Sequence, residues 1–115
     1  MILITNNIRK LYHAAFKKAR REKIRAVRLN ALLWYAARFA EGHGQYLIRF
    51  HVIPEVGGGE QVFVSCNSID GERCKGTLRR KGMEREPMCV HIAEVVDRGI
   101  QYGKRKQKIE TKEAA

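Results

Sequence analysis

Three cysteines and one histidine that could hold a metal ion lie close together in the second half of the chain. Seven residues separate Cys66 from Cys74, and fourteen more precede the Cys-x-His pair formed by Cys89 and His91. These are all the cysteines of the sequence. Three thiolates and one imidazole complete the tetrahedral ligand set of a structural zinc ion and leave no position open for a substrate water. The pattern therefore predicts Zn²⁺ bound by Cys66, Cys74, Cys89 and His91.

Each of these residues also has a plainer interpretation. Free cysteines are among the most buried residue types, and a single histidine is more often packed or solvent-exposed than bound to a metal. Cys74 lies between two basic residues in a polar segment, which is unlike a core cysteine and favours a ligand. If Cys74 is not a ligand, His51 is the substitute. His43 is less convenient, and His13 is expected to be structural or solvent-facing.

Catalytic patterns find no support in the sequence. A catalytic zinc ion keeps an open position, and a Ser-His-Asp or Cys-His arrangement would have to use the residues already assigned to the metal. The zinc deaminase pattern, His-x-Glu followed by Cys-x-x-Cys, is missing. Glu84 and Glu86 form a carboxylate pair, but they lie in a charged segment typical of a solvated surface. We therefore predict that the chain is not an enzyme.

Length and composition indicate a single small folded domain. The chain has 115 residues, of which 44% are hydrophobic, so wholesale disorder is not expected. Its apolar start, residues 1–4, is far too short for a signal peptide or a membrane span. An odd number of clustered cysteines favours metal binding in a reducing compartment. We expect an intracellular protein, cytoplasmic or nucleoid-associated (in the host cell if it is viral), without a membrane partner.

The net charge of +11 is concentrated in the first forty residues and again near the C-terminus. Glu22 is the only acidic residue among residues 1–40, against ten lysines and arginines. Such clusters replace the counterions condensed on a phosphate backbone, although a basic surface can also serve solubility alone. Because the first cluster is dense and almost uncompensated, we predict that nucleic acid is the partner, DNA in preference to RNA. The residues expected to contact it are Lys17, Lys18, Arg20, Arg21, Lys23, Arg25, Arg28, Arg79, Arg80 and Lys81.

The spacing of apolar residues predicts that residues 6–41 are helical. Apolar side chains recur there at intervals of three and four, as one long helix or as two helices with a bend at 20–23. The opposite face would then carry a cationic strip suited to phosphates, which includes Lys17, Arg21, Arg25 and Arg28. Trp34, Tyr35 and Phe39 could offer a base-stacking surface, but at helical spacing such residues are more often core.

The remaining elements complete an α+β fold. The sequence predicts strands at 46–53 and 61–65, which the glycine run at 57–59 joins as a hairpin. It also predicts an exposed loop at 75–87. Residues 88–96 predict a helix, and Cys89 must lie at or before its first turn because residues two apart do not share a helix face. The predicted organisation is a basic helical segment at 1–44, a metal-binding domain at 45–103 and a basic, flexible tail at 104–115.

A hairpin with cysteines at the end of its second strand, a loop, and then residues 89–92 (Cys-Val-His-Ile) leading into an apolar helix resembles the SWIM zinc finger. The resemblance covers residues 46–100. The family pattern begins with Cys-x-Cys, whereas here seven residues separate Cys66 from Cys74, so either the first ligand loop is longer or one ligand differs. The resemblance implies a non-catalytic zinc-binding module of the kind found beside Snf-type ATPases, Mutator-type transposases and recombination proteins, where it is thought to contact DNA or other proteins. The ligands that it implies are Cys66, Cys74, Cys89 and His91.

Charge, metal site and resemblance together predict a small zinc-finger protein that binds nucleic acid. It would act as a regulator or accessory factor of transcription, recombination or replication, and a small basic protein of this kind would fit a virus or a mobile element. The alternative is a protein-interaction adaptor whose apolar helix face docks on a larger nucleic-acid-processing protein. A homodimer through residues 8–39 is compatible with both, because a helix there would present much apolar surface.

Overall fold

In the computed structural model, which describes residues 1–38 and 44–100, helices pack on one face of an antiparallel sheet. The elements through residue 68 are β1 (Ile2–Leu3), α1 (Ile8–Leu11), α2 (His13–Arg21), β2 (Ile24–Asn30), β3 (Leu33–Arg38), β4 (Gln45–Pro54) and β5 (Glu60–Ser68). A 3-10 turn at Lys75–Thr77 follows, and residues 90–100 form a helix, α3. The predicted α+β class is confirmed.

The strand order β1-β5-β4-β3-β2, with every neighbouring pair antiparallel, gives the sheet two faces of different character. Because side chains alternate along a strand, the register assigns each residue to one face. The inner face carries the buried residues Ile24, Ala26, Ala36, Ile48 and Val64. The outer face carries the residues between them on the same strands, including Arg25, Val27, Tyr35, Leu47, Arg49 and Phe63.

The helix predicted over 6–41 is wrong for residues 24–38, because 24–30 and 33–38 are strands, and its last residues, 39–41, lie outside the described part of the chain. The α2 helix ends where the backbone of Glu22 becomes extended, with φ −92° and ψ 132°. The predicted cationic strip is divided accordingly. Lys17 and Arg21 lie on α2, whereas Arg25 and Arg28 lie on β2.

A short turn without glycine or proline joins β2 to β3. The Oδ1 atom of Asn30 accepts a hydrogen bond from the N–H of Leu32 at 2.9 Å, and this side-chain bond closes the turn. The pairing register shifts by one residue between Arg28 and Asn30, which marks a bulge at the same place. Glycine and proline are missing here and Asn30 is the one residue of the turn that is typical of turns, which explains why the segment resembles a continuous helix.

The hairpin predicted at 46–65 is confirmed as β4 and β5. Its turn contains Gly57, Gly58 and Gly59, whose φ angles are +93°, +107° and +86°. Residues with a side chain rarely adopt such angles, so the glycine run is needed for this turn. β3 also pairs with β4, through residues 33–37 and 45–49, so the sheet continues across the division predicted at 44/45.

The core lies between the inner face of the sheet and the helices. Phe16 and Ala19 of α2 and Ile92 and Val95 of α3 are buried there. Burying one such large apolar side chain stabilises the fold by about 1.5–3 kcal/mol relative to its exposure. The apolar face of α2, which the sequence offers as a docking surface, is therefore used within the chain itself.

Several predicted features fall outside the described residues. These are Phe39, His43, the last residues of the domain predicted at 45–103 and the tail predicted at 104–115. Within residues 1–38 and 44–100, no helix combines the length and the apolar character needed to cross a membrane.

Candidate metal centre

Cys66 and Cys74 face one another across a hairpin that extends β5. The chain turns back after Ser68, whose carbonyl accepts a hydrogen bond from the N–H of Gly71 at 2.9 Å. On the returning arm the N–H of Cys74 donates to the carbonyl of Cys66 at 3.1 Å. Residues paired in this way project their side chains from the same face of a hairpin. The seven residues that separate the two cysteines therefore form a hairpin loop that brings the two thiols together.

Gly76 allows the segment after Cys74 to pass very close to Cys89. A Cβ atom at position 76 would lie 2.8 Å from the Cβ of Cys89 and 3.8 Å from the Sγ of Cys74. Thr77 closes the turn, since its N–H and its hydroxyl donate to the Cys74 carbonyl at 3.0 and 2.7 Å. The backbone of this segment therefore holds Cys74 against Cys89, and no larger residue fits at position 76 without a shift.

Cys89 and His91 lie at the start of α3, as their separation of two residues predicts. The helix begins at residue 90, so Cys89 is the residue that precedes its first turn. The N–H of Ile92 donates to the Sγ of Cys89, with an N···S distance of 3.4 Å. This bond satisfies one of the N–H groups that have no partner within the helix. The first turn of α3 thus supplies two of the four candidate donors.

The four predicted ligands come together in one buried cluster. Their donor atoms all lie within 4.8 Å of one another. The Nδ1 atom of His91 is 3.7 Å from the Sγ of Cys74 and 3.9 Å from the Sγ of Cys66. Metal bonds of about 2.3 Å to sulfur and about 2.0–2.1 Å to nitrogen would place tetrahedral donors about 3.6–3.8 Å apart. The distances therefore fit donors arranged around a common metal ion.

The three thiols affect one another's ionisation strongly. Hydrogen bonds with the thiols of Cys66 and Cys89 lower the pKa of Cys74. Hydrogen bonds with Cys74 and Cys89, together with burial, raise the pKa of Cys66. A hydrogen bond with Cys66 lowers the pKa of Cys89, but the bond with Cys74 and burial outweigh it and raise that pKa to about 12. A bound cation would stabilise the thiolate form of all three.

Tyr46 holds the His91 ring from the side of the sheet. The two rings are stacked, with centroids 4.0 Å apart and planes inclined by 24°. Tyr46 lies on the inner face of β4, opposite Ala36 on β3 and Ser68 on β5. Burial, followed by the charges of Cys74 and Cys66, raises the pKa of its phenol. The stacked phenol helps to keep the imidazole in the plane that directs Nδ1 at the sulfur atoms.

The substitute ligand predicted from the sequence lies on the wrong face of the sheet. His51 is on the outer face, where its Nε2 atom is 2.9 Å from the Oγ of Ser65. Cys66 is on the inner face, because it pairs with the buried Ile48. His51 is therefore not available to the cluster. His13 is exposed on α2, in agreement with its predicted solvent-facing position.

The residues predicted to contact nucleic acid are all exposed, but they are spread over several surfaces. Lys18 is 3.9 Å from Glu22, which also forms a 2.6 Å ion pair with Arg38. Arg25 lies on the outer face of the sheet, and Arg28 lies near the other end of β2. The α2 helix and the residue after it carry Lys17, Lys18, Arg20, Arg21 and Lys23, and the loop before α3 carries Arg79, Arg80 and Lys81.

The aromatic residues predicted as core or as a stacking surface lie on strands. Trp34 is on the inner face, in the same row as Ile48 and Cys66, and it lines a groove of about 300 Å³ with Phe50 and Val52. Tyr35 is half-buried on the outer face. Trp34 and Tyr35 therefore project from opposite faces of the sheet, because side chains alternate along β3.

Sequence reasoning missed the positions that support the ligands. Tyr46 is recognisable only as a strand residue, because its contact with His91 joins residues 45 positions apart. Gly76 could have been found, since a glycine two residues after a metal-binding cysteine indicates a tight turn around the metal. Glu86 accepts hydrogen bonds from the amino group of Met1 and from Arg73, both of which lower the pKa of its carboxyl group. Glu86, one residue of the predicted carboxylate pair, therefore helps to hold the loop before α3 against Met1 and Arg73.

Comparisons with protein-family models, with curated proteins and with solved structures find no match to this chain. Its function must be argued from the site, which is a buried Cys₃His cluster between the end of a hairpin and the start of a helix.

Proposed function

We propose that Cys66, Cys74, Cys89 and His91 bind a structural Zn²⁺ ion, and that the module so stabilised binds nucleic acid, with DNA preferred to RNA. The observation that carries the proposal is the closed and buried donor set. Four protein donors leave no coordination position for a substrate, which favours a structural ion over a catalytic one. Soft thiolates in a tetrahedral arrangement favour zinc over magnesium and calcium, which prefer oxygen ligands.

Zinc at this position would crosslink three parts of a small chain. Cys66 comes from the end of β5, Cys74 from the returning arm and Cys89 with His91 from α3. Such sites contribute on the order of 10 kcal/mol of apparent binding free energy to folding. The ion would therefore fix the hairpin relative to α3, and the chain would act by binding rather than by catalysis.

The proposed partner follows from the distribution of charge. Among the described residues, Lys17, Arg20 and Arg21 of α2 form no ion pair, and Glu22, the acid that follows the helix, already pairs with Lys18 and Arg38. Lys17, Arg20 and Arg21 project from the same short helix, and α2 itself rests on the core. A rigid row of cations of this kind fits phosphate contacts that give affinity without sequence readout.

The order of the three cysteines and the histidine supports a functional analogy with SWIM zinc fingers, which the sequence pattern of residues 46–100 resembles. On this basis we propose a role as a regulator or accessory factor in transcription, recombination or replication. The three cysteines are free and buried, which agrees with the reducing interior of a cell. We propose an intracellular location for the same reason.

A salt titration tests this proposal directly. Fluorescence anisotropy would measure the affinity of the zinc-loaded protein for random-sequence duplex DNA, for single-stranded DNA and for RNA at several salt concentrations. We expect the affinity to fall steeply with salt, since each phosphate contact releases counterions. The triple variant Lys17→Ala, Arg20→Ala, Arg21→Ala should reduce the slope of log K against log salt by about 2–3.

Arg98→Ala provides a matched control for a single charge. Arg98 is also an exposed helical arginine, but it pairs with Glu94 at 2.7 Å, so its removal should leave the slope almost unchanged. Zinc content, measured with a colorimetric chelator, must stay at one ion per chain in every variant. Salt-independent binding, or no binding to any nucleic acid at low salt, would contradict the proposed partner.

A second candidate, the protein-interaction adaptor, has a specific observation in its favour. The groove beside Trp34 is largely apolar, and its lining includes Leu32, which is 44% exposed, and Val52, which is 40% exposed. This groove would replace the predicted apolar helix face as the docking surface for a larger nucleic-acid-processing protein or for a second copy of the chain. Binding of a partner that survives high salt and fails with Leu32→Ser would favour it.

A further inference from the structure

The outer face of the sheet, which points away from the Cys₃His cluster on the inner face, carries apolar, aromatic and basic side chains. Val27 is 39% exposed there, and Arg25 and Arg49 are also exposed. Tyr35 and Phe63 are half-buried on the same face, supported by apolar neighbours such as Leu47. No acidic residue occupies an outer-face position in any described strand. The face therefore combines aromatic rings with positive charge.

The register places an arginine between the two aromatic rings. Tyr35 pairs with Leu47, and Phe63 pairs with His51, so their rows on β4 are four residues apart. Arg49 occupies the row between them, on the strand that lies between β3 and β5. With about 4.8 Å between strands and about 3.4 Å per residue, the Cα atoms of Tyr35 and Phe63 are about 17 Å apart. The aromatic, cationic and aromatic side chains thus follow one diagonal of the face.

The two arginines on this face are available for an external anion. Neither Arg25 nor Arg49 pairs with a carboxylate of residues 1–38 or 44–100. Arg25 pairs in register with Ala37, one outer-face row beyond Tyr35, so it continues the same path across the sheet. A phosphate backbone that follows the diagonal would meet a cation beside Tyr35 and another midway to Phe63.

We propose that the outer face binds single-stranded DNA, with bases stacked on Tyr35 and Phe63 and phosphates held by Arg25 and Arg49. The inference rests on the proposed nucleic-acid function and adds to it the strandedness and a surface distinct from α2. Aromatic side chains on an open surface stack unpaired bases of any sequence, and arginines between them track the backbone. A duplex would not use these rings, because its bases are already stacked on one another.

The other occupants of such a face fit less well. A second copy of the chain would bring its own Arg25 and Arg49 to the interface, on a protein with a net charge of +11 and without acidic partners on this face. RNA carries a 2′-hydroxyl at each sugar that needs a polar partner when it is buried. The centre of the face, around Val27, Tyr35 and Leu47, offers apolar side chains instead, which favours deoxyribose.

The decisive variants replace an aromatic ring with an aliphatic side chain of similar size. Tyr35→Leu and Phe63→Leu remove the π-face, and each should weaken binding of an oligothymidylate of about 12 nucleotides by roughly tenfold. Tyr35→Phe and Phe63→Tyr keep the ring and should bind as the unaltered protein does. Arg49→Met should lower the salt slope for the same probe by about one. Zinc content and melting temperature report whether each variant is folded.

The outcomes separate this inference from the proposed function. Duplex affinity should depend on Lys17, Arg20 and Arg21 and should not change in the leucine variants. If the unaltered protein binds nucleic acid while the leucine variants bind oligothymidylate at full strength, the outer-face proposal fails and the proposed function stands. If no nucleic acid binds, both fail. Tighter binding of oligouridylate than of oligothymidylate would overturn the choice of DNA, and a dimer in sedimentation that the outer-face variants dissociate would assign the face to self-association.

Discussion

The metal centre and the apolar core share the helix α3 but depend on different forces. In the core, Ile48, Val64 and Val95 are completely buried, and their contribution comes from the removal of apolar area from water. In the metal centre, the buried groups are sulfur and nitrogen donors, and the loop at 78–85 that connects them is exposed. One region is stable through its packing, whereas the other, on the proposed function, would gain its stability from a bound cation that holds the thiols as thiolates.

This difference shows that two parts of a small chain can be stabilised by different interactions. The sheet and helices position Cys66 and the Cys-x-His pair, since β5 and α3 both belong to the core. The returning arm with Cys74 is held to β5 by backbone hydrogen bonds, from Cys74 to Cys66 and from Ser68 to Glu72, and on our proposal also by the ion. Changes in the centre should therefore affect metal content and stability together, whereas changes in the core should affect stability alone.

The largest effect is expected for Cys89→Ser. The hydroxyl of serine is a poor zinc ligand, and three remaining donors would hold the ion weakly. Thermal unfolding and metal analysis together should show loss of zinc and a fall in stability of several kcal/mol, part of which comes from a buried hydroxyl. The same loss should follow when the unaltered protein is treated with a strong chelator. A variant with full zinc content and an unchanged melting temperature would refute the site.

The core can be tested by a pair of neighbouring residues on β4. Ile48 is completely buried on the inner face, and Ile48→Ala should reduce the free energy of unfolding by about 2–5 kcal/mol through the cavity that it leaves. Leu47→Ala, one residue earlier on the outer face, should cost clearly less. Chemical denaturation measures both, and the folded fraction of each variant should still carry one zinc ion. If both variants lost the same free energy of unfolding, the inner and outer faces of the sheet would not differ in burial as the register requires.

A smaller effect within the metal centre is expected for Gly76→Ala. The new methyl group would lie 2.8 Å from the Cβ of Cys89, so the turn must shift, at a cost of about 1–3 kcal/mol. The zinc affinity, measured by chelator competition, should fall in parallel. Gly99→Ala is the matched control, since a Cβ there meets no atom within 4 Å and alanine is favoured in a helix by up to about 1 kcal/mol. Equal stability and equal zinc affinity of the two variants would contradict a close approach of the backbone to Cys89 at Gly76.

The smallest effect is expected for Glu86→Gln at the edge of the centre. Hydrogen bonds from the Met1 amino group and from Arg73 hold the pKa of Glu86 below its usual value, so the contacts stabilise the fold above the usual pKa of glutamate. Their contribution is lost as the pH falls through the lowered pKa of the folded state. Because these side chains are 31–46% exposed, the substitution should cost at most about 1 kcal/mol near neutral pH. Melting curves recorded from about pH 7 to about pH 3 should show the difference between the two proteins shrinking once the pH falls below the usual pKa of glutamate. A difference that grows on acidification would contradict this role.

The four members of the Cys₃His cluster could be predicted from the sequence because their chemistry is carried by the residues themselves. Cys89 and His91 also indicate where α3 begins, since both could not lie on one face of a helix. The glycine run at 57–59 likewise carries its own backbone preference, and the hairpin around it was predicted correctly. In each case the local residues determine the result without help from distant parts of the chain.

The predictions that were wrong concern segments whose structure depends on distant contacts. Residues 24–38 contain apolar residues that suit either a helix or a strand, and β3 is held by its pairing with β4. The turn at Asn30 depends on a side-chain hydrogen bond instead of a glycine. His51 was a reasonable substitute ligand until the register of β4 placed it on the outer face. Tyr46 could not be assigned at all, because its role exists only once α3 lies against the sheet.

The hairpin that joins the first two ligands has a consequence for the natural variation of this module. Cys66 and Cys74 are directly opposed, as are Asn67 and Arg73. A pair of residues inserted at the tip would lengthen both arms equally and leave the two sulfur atoms on the same side. A single inserted residue would turn one cysteine to the opposite side. Homologous chains should therefore tolerate changes in this ligand spacing in steps of two, and a search pattern that allows only one fixed interval would overlook them.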